Sequence, residues 1–157
     1  MKITFEDLSQ QRYLYHVVSI IDLEKTLNEG ISFDDKKTYT TKYYDFHFFF
    51  DKFRPSHIPA WVERRKAIFA SLYFKENHGW HSHTAVLRVK IKPDRCWVCN
   101  ENIANFIYEP FILRHLNGFD AADEYIKKNG RKIVEEYWNT SISYLEHMER
   151  RYDKKEG

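Results

Sequence analysis

The alternation of apolar and polar positions predicts two clear strands. Residues 13–19 are dense in β-forming side chains, and residues 84–92 carry an apolar side chain at every second position. Shorter runs predict a buried strand at residues 67–74 and a short strand at 97–99. The aromatic run at residues 43–50 fits either a buried strand or a loop that presents its rings.

A different spacing, of three and four residues between apolar side chains, predicts helices. Directly after the first strand, Ile20, Leu23 and Leu27 form such a stripe. Ser19 or Asp22 can cap the start of this helix, and Gly30 is a typical C-terminal stop.

Further helices are predicted at residues 60–66, 120–128 and 131–138, with Gly130 as the break between the last two. The tail after residue 139 is ambiguous, with a helical stretch around residues 148–151. Because strands and helices are mixed without an alternating βαβ rhythm, the pattern predicts an α+β domain.

Composition narrows the class of protein. The chain has 157 residues, which fits one domain over residues 1–157, and a net charge of +2. That balance offers no global case for nucleic-acid binding, although a local basic patch stays open. The cluster of Glu63 with the three cations that follow it is expected to be a solvated helix face. Without an apolar leader or a membrane-length apolar run, we expect a cytoplasmic protein with no membrane partner.

The two cysteines form a Cys96-Trp97-Val98-Cys99 motif. On a strand, residues three apart point to opposite faces, so the two sulfur atoms would diverge. A zinc site needs about four ligands, and the sequence has no second motif of this kind. We therefore expect structural cysteines and no metal at this motif.

Histidines carry the next candidate chemistry, since the common phosphate-loop, dinucleotide, zinc-protease and serine-hydrolase motifs are absent. The densest cluster is His78-Gly79-Trp80-His81-Ser82-His83. Solvated loop histidines are the simpler interpretation. A metal-dependent hydrolase would require at least three histidines to converge, drawn from His47, His57, His78, His81 and His83.

A histidine also lies inside the first strand, and its surroundings carry a resemblance. Residues 14–19 read LYHVVS, residues 23–31 read LEKTLNEGI, residues 68–71 read IFAS and residues 86–91 read VLRVKI. This order resembles the ADP-ribosyltransferase-like superfamily, above all bacterial DNA-modifying ADP-ribosyltransferase toxins and RNA 2′-phosphotransferases. It covers about the first 95 residues, and the chain lacks a clear closing strand.

The resemblance implies a split β-sheet core with flanking helices and NAD as a substrate. His16 would hydrogen-bond a ribose hydroxyl, Phe69 would stack on the nicotinamide ring with Ser71 behind it, and Arg54 would pair with the pyrophosphate. The family often has a tyrosine where this chain has Ile68 or Phe69. ADP-ribose would pass to a nucleic acid or protein acceptor, and a toxin-like protein would have an antitoxin as a further partner.

The family's catalytic glutamate lies late in the chain, and Glu146 is the nearest match, with Glu149 and Glu109 as fallbacks. Three explanations stay open: the tail supplies the glutamate, the sequence stops before it, or this member is not a catalyst. A non-catalytic interaction domain, with residues 43–50 as its contact surface, is therefore the alternative function. The other interpretation of His16 is a satisfied core histidine.

Overall fold

A computed structural model describes residues 13–32, 44–74 and 83–156 of the chain. These residues fall into two compact units. We call residues 13–32, 68–74, 83–97 and 143–156 the sheet unit, and residues 44–67 and 98–142 the helical unit.

The sheet unit is built on an antiparallel strand pair. Strand β1 (Tyr13–Ser19) pairs with β2 (Thr84–Lys90), which confirms both of the clear strand predictions. The buried strand expected at residues 67–74 is wrong, because regular pairing there is limited to one bridge between Tyr15 and Ser71. Several apolar side chains of that segment are exposed to solvent, so the apolar run does not mark a buried strand.

Helix α1 (Ile20–Glu29) follows β1 directly, as its pattern predicts. The Ser19 hydroxyl accepts a hydrogen bond from the Ile21 backbone N–H at 3.4 Å, and Gly30 ends the helix with φ of 87°. Gly30 suits this position because side chains with a Cβ rarely adopt positive φ. The apolar stripe is not buried along its length, since Leu27 is 67% exposed.

The helical unit begins with α2 (Tyr44–Lys52). The expectation of a strand or loop over residues 43–50 is therefore wrong. The aromatic side chains follow the helical period instead: Phe46 and Phe50 are buried four residues apart, whereas Tyr44 and Phe48 are exposed four residues apart.

Helix α3 (Glu101–Leu113) packs against α4 (Asp120–Asn139). Helix α4 is continuous, so the predicted break at Gly130 is wrong. A Cβ on Gly130 would lie 3.1 Å from the Phe49 ring. The glycine therefore permits a close approach inside the helix rather than ending it.

The remaining described elements are short, apart from one helix. Strands β3 (Trp97–Val98) and β4 (Ile142–Ser143) pair with each other, and the chain then forms α5 (Tyr144–Glu156). The helix expected at residues 60–66 is reduced to a 3₁₀ turn at Arg64–Lys66. Helices together with antiparallel strands agree with the α+β class. None of the helices in the described ranges combines the length and apolar character needed to cross a bilayer.

Candidate functional site

His16 lies in the middle of β1, on the apolar face of the strand pair. Side chains alternate along a strand, so Leu14, His16 and Val18 share one face, and His16 lies opposite Leu87 on β2. Val18 is only 3% exposed, whereas His16 is partly exposed. The histidine is thus at the accessible part of an otherwise apolar surface.

The orientation of the His16 ring is fixed by one hydrogen bond. Its Nδ1 lies 2.7 Å from the backbone carbonyl oxygen of Phe69. A carbonyl oxygen only accepts hydrogen bonds, so Nδ1 is the donor and carries a proton. In the neutral ring Nε2 is then an acceptor, and the described residues provide no hydrogen-bond partner for it. Such a nitrogen can accept a hydrogen bond from a ligand hydroxyl.

Phe69 and Ser71 lie beside β1, in the same unit as His16. The backbone N–H of Tyr15 donates to the Ser71 carbonyl at 3.0 Å, and the Ser71 N–H donates to the Tyr15 carbonyl at 2.8 Å. Residues that face each other in such a pair direct their side chains to the same face. The exposed side chain of Ser71 therefore belongs to the face of Tyr15, opposite that of His16.

Arg54 lies in the helical unit. Its Nη1 donates to the backbone carbonyl of Val62 at 2.6 Å, and the side chain is partly buried. This bond closes the loop between α2 and the 3₁₀ turn. The described structure thus places Arg54 in one unit and the other three predicted NAD-binding residues in the other.

Glu146 occupies the first turn of α5. The Ser143 hydroxyl accepts a hydrogen bond from the Glu146 backbone N–H at 3.2 Å, as a capping serine does for the third helical residue. The exposed carboxylate accepts a hydrogen bond from Arg150 one turn later, at 2.8 Å. The alternatives Glu149 and Glu109 are exposed on α5 and α3. All three glutamates are therefore exposed on helices.

The candidate metal-binding histidines are only partly within the described residues. His47 is buried, whereas His57 and His83 are exposed; His78 and His81 lie outside the described ranges. Within those ranges, no group of three or more histidine, cysteine or acidic side chains could hold a metal ion.

The most concentrated polar cluster surrounds Arg64, which the sequence pattern assigned to a solvated face. That assignment is wrong for Arg64, which is only 4% exposed. Its guanidinium donates to both carboxylate oxygens of Glu101, to the Tyr137 hydroxyl and, from Nε, to His47 Nδ1 at 3.2 Å. The guanidinium also lies over the rings of Phe46, Phe50 and Tyr137, at 4.9 to 5.3 Å from their centroids.

The charges of this cluster are mutually compensated. Burial, with Arg64 nearby, lowers the pKa of His47 to about 3, so His47 accepts the Arg64 hydrogen bond as a neutral ring. Burial raises the pKa of Tyr137, so its phenol is neutral and Glu101 supplies the negative charge. Burial alone would lower the pKa of Arg64, but Tyr137 and Glu101 outweigh it and the pKa is raised. The cluster is therefore a satisfied buried network, suited to fixing the fold of the helical unit.

Asp51 attaches the 3₁₀ turn to α2 and so places Arg64. Its carboxylate accepts the backbone N–H groups of Arg64 at 2.7 Å and Arg65 at 3.1 Å, and also Arg65 Nε at 3.1 Å. The signal that could have identified Arg64 is local: it lies two residues after Val62, which is also buried. Burial of every second residue would indicate an extended segment before the 3₁₀ turn, with the Arg64 side chain directed inward.

The cysteines are both free and partly buried. Burial raises the pKa of the Cys99 thiol to about 11 and also raises that of Cys96. A raised thiol pKa disfavours the reactive thiolate, which supports the expectation of structural cysteines.

Comparisons with known proteins add no relative. No protein-family model matches the chain, and neither a curated protein nor a solved structure shows significant similarity to it. The candidate site therefore depends on the residues and geometry given above.

Proposed function

We propose that the chain is an NAD-binding, ADP-ribosyltransferase-like protein that transfers ADP-ribose to a nucleic acid or protein acceptor. The observation that carries the proposal is His16, whose Nδ1 donates to the Phe69 carbonyl at 2.7 Å and thereby presents Nε2 as an acceptor. A ribose hydroxyl is the kind of donor that such a nitrogen accepts. The β1–α1 unit with its Gly30 stop, on which the resemblance depends, also supports the proposal.

The proposed reaction breaks the glycosidic bond between nicotinamide and its ribose. An acceptor nucleophile forms the new bond at the same carbon and releases its proton, and nicotinamide leaves with the bonding electrons. The proposed role of Glu146 is to bind the ribose 2′-hydroxyl and stabilise the positive charge that develops on the sugar. Phe69 keeps the nicotinamide role that the resemblance implies. The pyrophosphate role of Arg54 stays an expectation of the resemblance alone, because Arg54 belongs to the other unit. The role of Ser71 stays such an expectation too, because its side chain lies on the face opposite His16.

Calorimetric titration of NAD into the full chain tests the binding step. We expect His16→Ala to weaken binding about tenfold, which corresponds to roughly 1.4 kcal/mol. His57→Ala is the matched control, because that histidine is exposed and belongs to the helical unit. Absence of NAD binding by the wild-type chain would overturn the proposal.

A second experiment separates catalysis from binding. The chain is incubated with labelled NAD and with protein or nucleic-acid acceptors, and transfer of label is measured. We expect Glu146→Gln to abolish transfer while NAD still binds, whereas Glu149→Gln, a control on the same helix, retains transfer. If both variants lost transfer equally, or if neither lost it, Glu146 would not have its proposed role.

The second candidate function is a non-catalytic interaction domain. The specific observation in its favour is an exposed aromatic pair on α2: Tyr44 and Phe48 lie parallel within 7°, with ring centroids 6.2 Å apart. Exposed large aromatic side chains are common in the contact surfaces of proteins. Cross-linking in cells tests this candidate by identifying a protein that is cross-linked to the wild-type chain. The double substitution Tyr44→Ser with Phe48→Ser should abolish that cross-link without changing the melting temperature. Retention of that partner would refute this candidate.

A further inference from the structure

The face of the β1–β2 pair opposite His16 has a distinct chemistry. Strand alternation and register place Tyr13 and Tyr15 on it, opposite Lys90 and Arg88 respectively. Tyr13 is 48% exposed, and both Arg88 and Lys90 are exposed. Two tyrosines and two cations thus form one surface, which we call the tyrosine–cation face.

The cations of this face lie beside a ring and not beside a described acid. Arg88 lies over the Tyr13 ring, 4.6 Å from its centroid. Neither β1 nor β2 contains an acidic residue, and no carboxylate within the described ranges forms an ion pair with Arg88 or Lys90. By contrast, Arg65 pairs with Asp51. The positive charge of the face is therefore not neutralised by described residues.

Further aromatic and polar groups extend the same face. Phe74 is 59% exposed and meets the Tyr15 ring edge-on, with centroids 5.7 Å apart. Ser71, which pairs with Tyr15 through its backbone, contributes an exposed hydroxyl. The surface thus offers aromatic rings, cations and a hydrogen-bonding group together.

We infer that the tyrosine–cation face binds single-stranded nucleic acid. Unstacked bases stack on exposed aromatic side chains of a sheet, and Arg and Lys beside those rings neutralise the phosphates. The uncompensated cations favour a polyanion over a neutral protein surface. The exposed rings favour single strands over a duplex, whose bases are already stacked. Because this face is opposite His16, the inference does not depend on NAD binding and stands whether or not the chain transfers ADP-ribose.

Fluorescence anisotropy tests the inference with labelled oligo(dT) and oligo(rU) of about 20 nucleotides, long enough to cover a typical binding site. We expect Arg88→Gln with Lys90→Gln to lower affinity at least tenfold. The slope of log affinity against log salt should fall by about 1.4, or about 0.7 for each lost phosphate contact. Comparing the two oligonucleotides tells whether DNA or RNA is preferred.

A substitution of the ring separates stacking from charge. Tyr13→Ala should lower affinity about tenfold with little change in the salt slope, whereas Tyr13→Phe, which keeps the ring, should retain binding. The matched charge control is Lys128→Gln with Lys132→Gln, because these exposed cations belong to the helical unit. Binding to NAD should be unchanged in every one of these variants.

Four results would overturn the inference: no binding of either oligonucleotide by the wild-type chain near 50 mM salt, equal loss in the helical-unit control, equal affinity for duplex, or full retention by Tyr13→Ala. Circular dichroism of each variant establishes that it is folded. Failure of oligonucleotide binding with intact NAD binding would refute this inference alone and leave the proposed function in place.

Discussion

The two units bury their side chains differently. In the helical unit, Phe50, Ile107 and Val134 are completely inaccessible to solvent, and Trp138 donates its indole N–H to the Phe50 carbonyl at 2.8 Å. Among the described residues of the sheet unit, the buried apolar side chains come from β1 and α5, and each retains 2–3% exposure: Val18, Tyr144 and Met148. The helical unit is thus the more densely packed of the two.

One arginine from each unit shows the same difference in burial. Arg64 of the helical unit is buried, and its guanidinium contacts an acid, a phenol, an imidazole and three rings. Arg88 of the sheet unit is exposed and rests on one tyrosine ring. A buried polar group whose hydrogen bonds are satisfied within the fold stabilises that fold. An exposed cation without a described acid beside it can still bind a ligand, so the sheet unit holds the better ligand-binding candidates.

The largest test of this contrast is Phe50→Ala. Removing a fully buried phenylalanine costs about 3–5 kcal/mol, because it loses burial and leaves a cavity. The free energy of unfolding should fall by that amount in urea. Phe48→Ala, on the same helix but 42% exposed, should cost less than about 1 kcal/mol.

Val18→Ala provides the corresponding measurement in the sheet unit. We expect a loss of about 2 kcal/mol from the smaller side chain. Val134→Ala is the matched substitution in the helical unit, where that valine is completely inaccessible to solvent. If Val18→Ala were as costly as Val134→Ala, the difference in packing between the units would be refuted.

The next prediction removes the acid from the Arg64 network. Glu101→Gln keeps the shape of the side chain but leaves a buried guanidinium without its carboxylate, at a cost of about 1–3 kcal/mol. The loss stays below that of a fully buried pair because the Glu101 side chain is 45% exposed and water can reach the site.

Glu109→Gln is the matched control for that urea measurement, since Glu109 is exposed on the same helix. Its free energy of unfolding should be within about 0.5 kcal/mol of the wild type. An equal effect of the two substitutions would mean that the network does not stabilise the unit.

The third prediction uses pH. The folded-state pKa of His47 is about 3, below the ordinary 6.5. Between pH 3 and pH 6.5 the unfolded chain therefore binds more protons than the folded chain. Stability is therefore complete above pH 6.5 and is lost as the pH falls toward 3, by up to about 1.4 kcal/mol per pH unit from this group. His47→Gln, whose amide oxygen can still accept from Arg64, should remove this contribution.

The difference between wild type and variant isolates His47, because His147 also has a lowered pKa and acts in the same direction. His57→Gln, an exposed control, should retain the wild-type pH dependence. A variant whose acid sensitivity equals that of the wild type would contradict the buried neutral His47.

Local patterns predicted the parts of the fold that local forces decide. The two paired strands, the Ser19 cap and the Gly30 stop each follow from a few neighbouring residues. The aromatic run at residues 43–50 failed because a dense run carries both the two-residue and the 3.6-residue period. Gly130 failed because the Phe49 ring, distant in sequence, packs closely against it inside a continuous helix.

The residues of the candidate site also differ in whether local sequence could identify them. His16 could be identified from its own strand, although its orientation depends on the carbonyl of Phe69, 53 positions away. Arg64 was assigned to solvent because its partners Glu101 and Tyr137 lie 37 and 73 positions away. Charge runs indicate exposure only on average, and a distant acid can reverse that average for one residue.

The smallest prediction concerns the end of α1, where sequence and structure agree. Gly30 has φ of 87°, and an added Cβ would meet no atom within 4 Å. Gly30→Ala should therefore cost about 1 kcal/mol from backbone strain alone, without a steric clash. Gly118→Ala in the helical unit, with the same φ and the same open surroundings, should cost the same in a urea titration. Strain at positive φ does not depend on packing density. The two glycine substitutions should therefore lower the free energy of unfolding equally, unlike the substitutions of buried side chains. Unequal losses would show that packing also determines how each unit tolerates backbone strain.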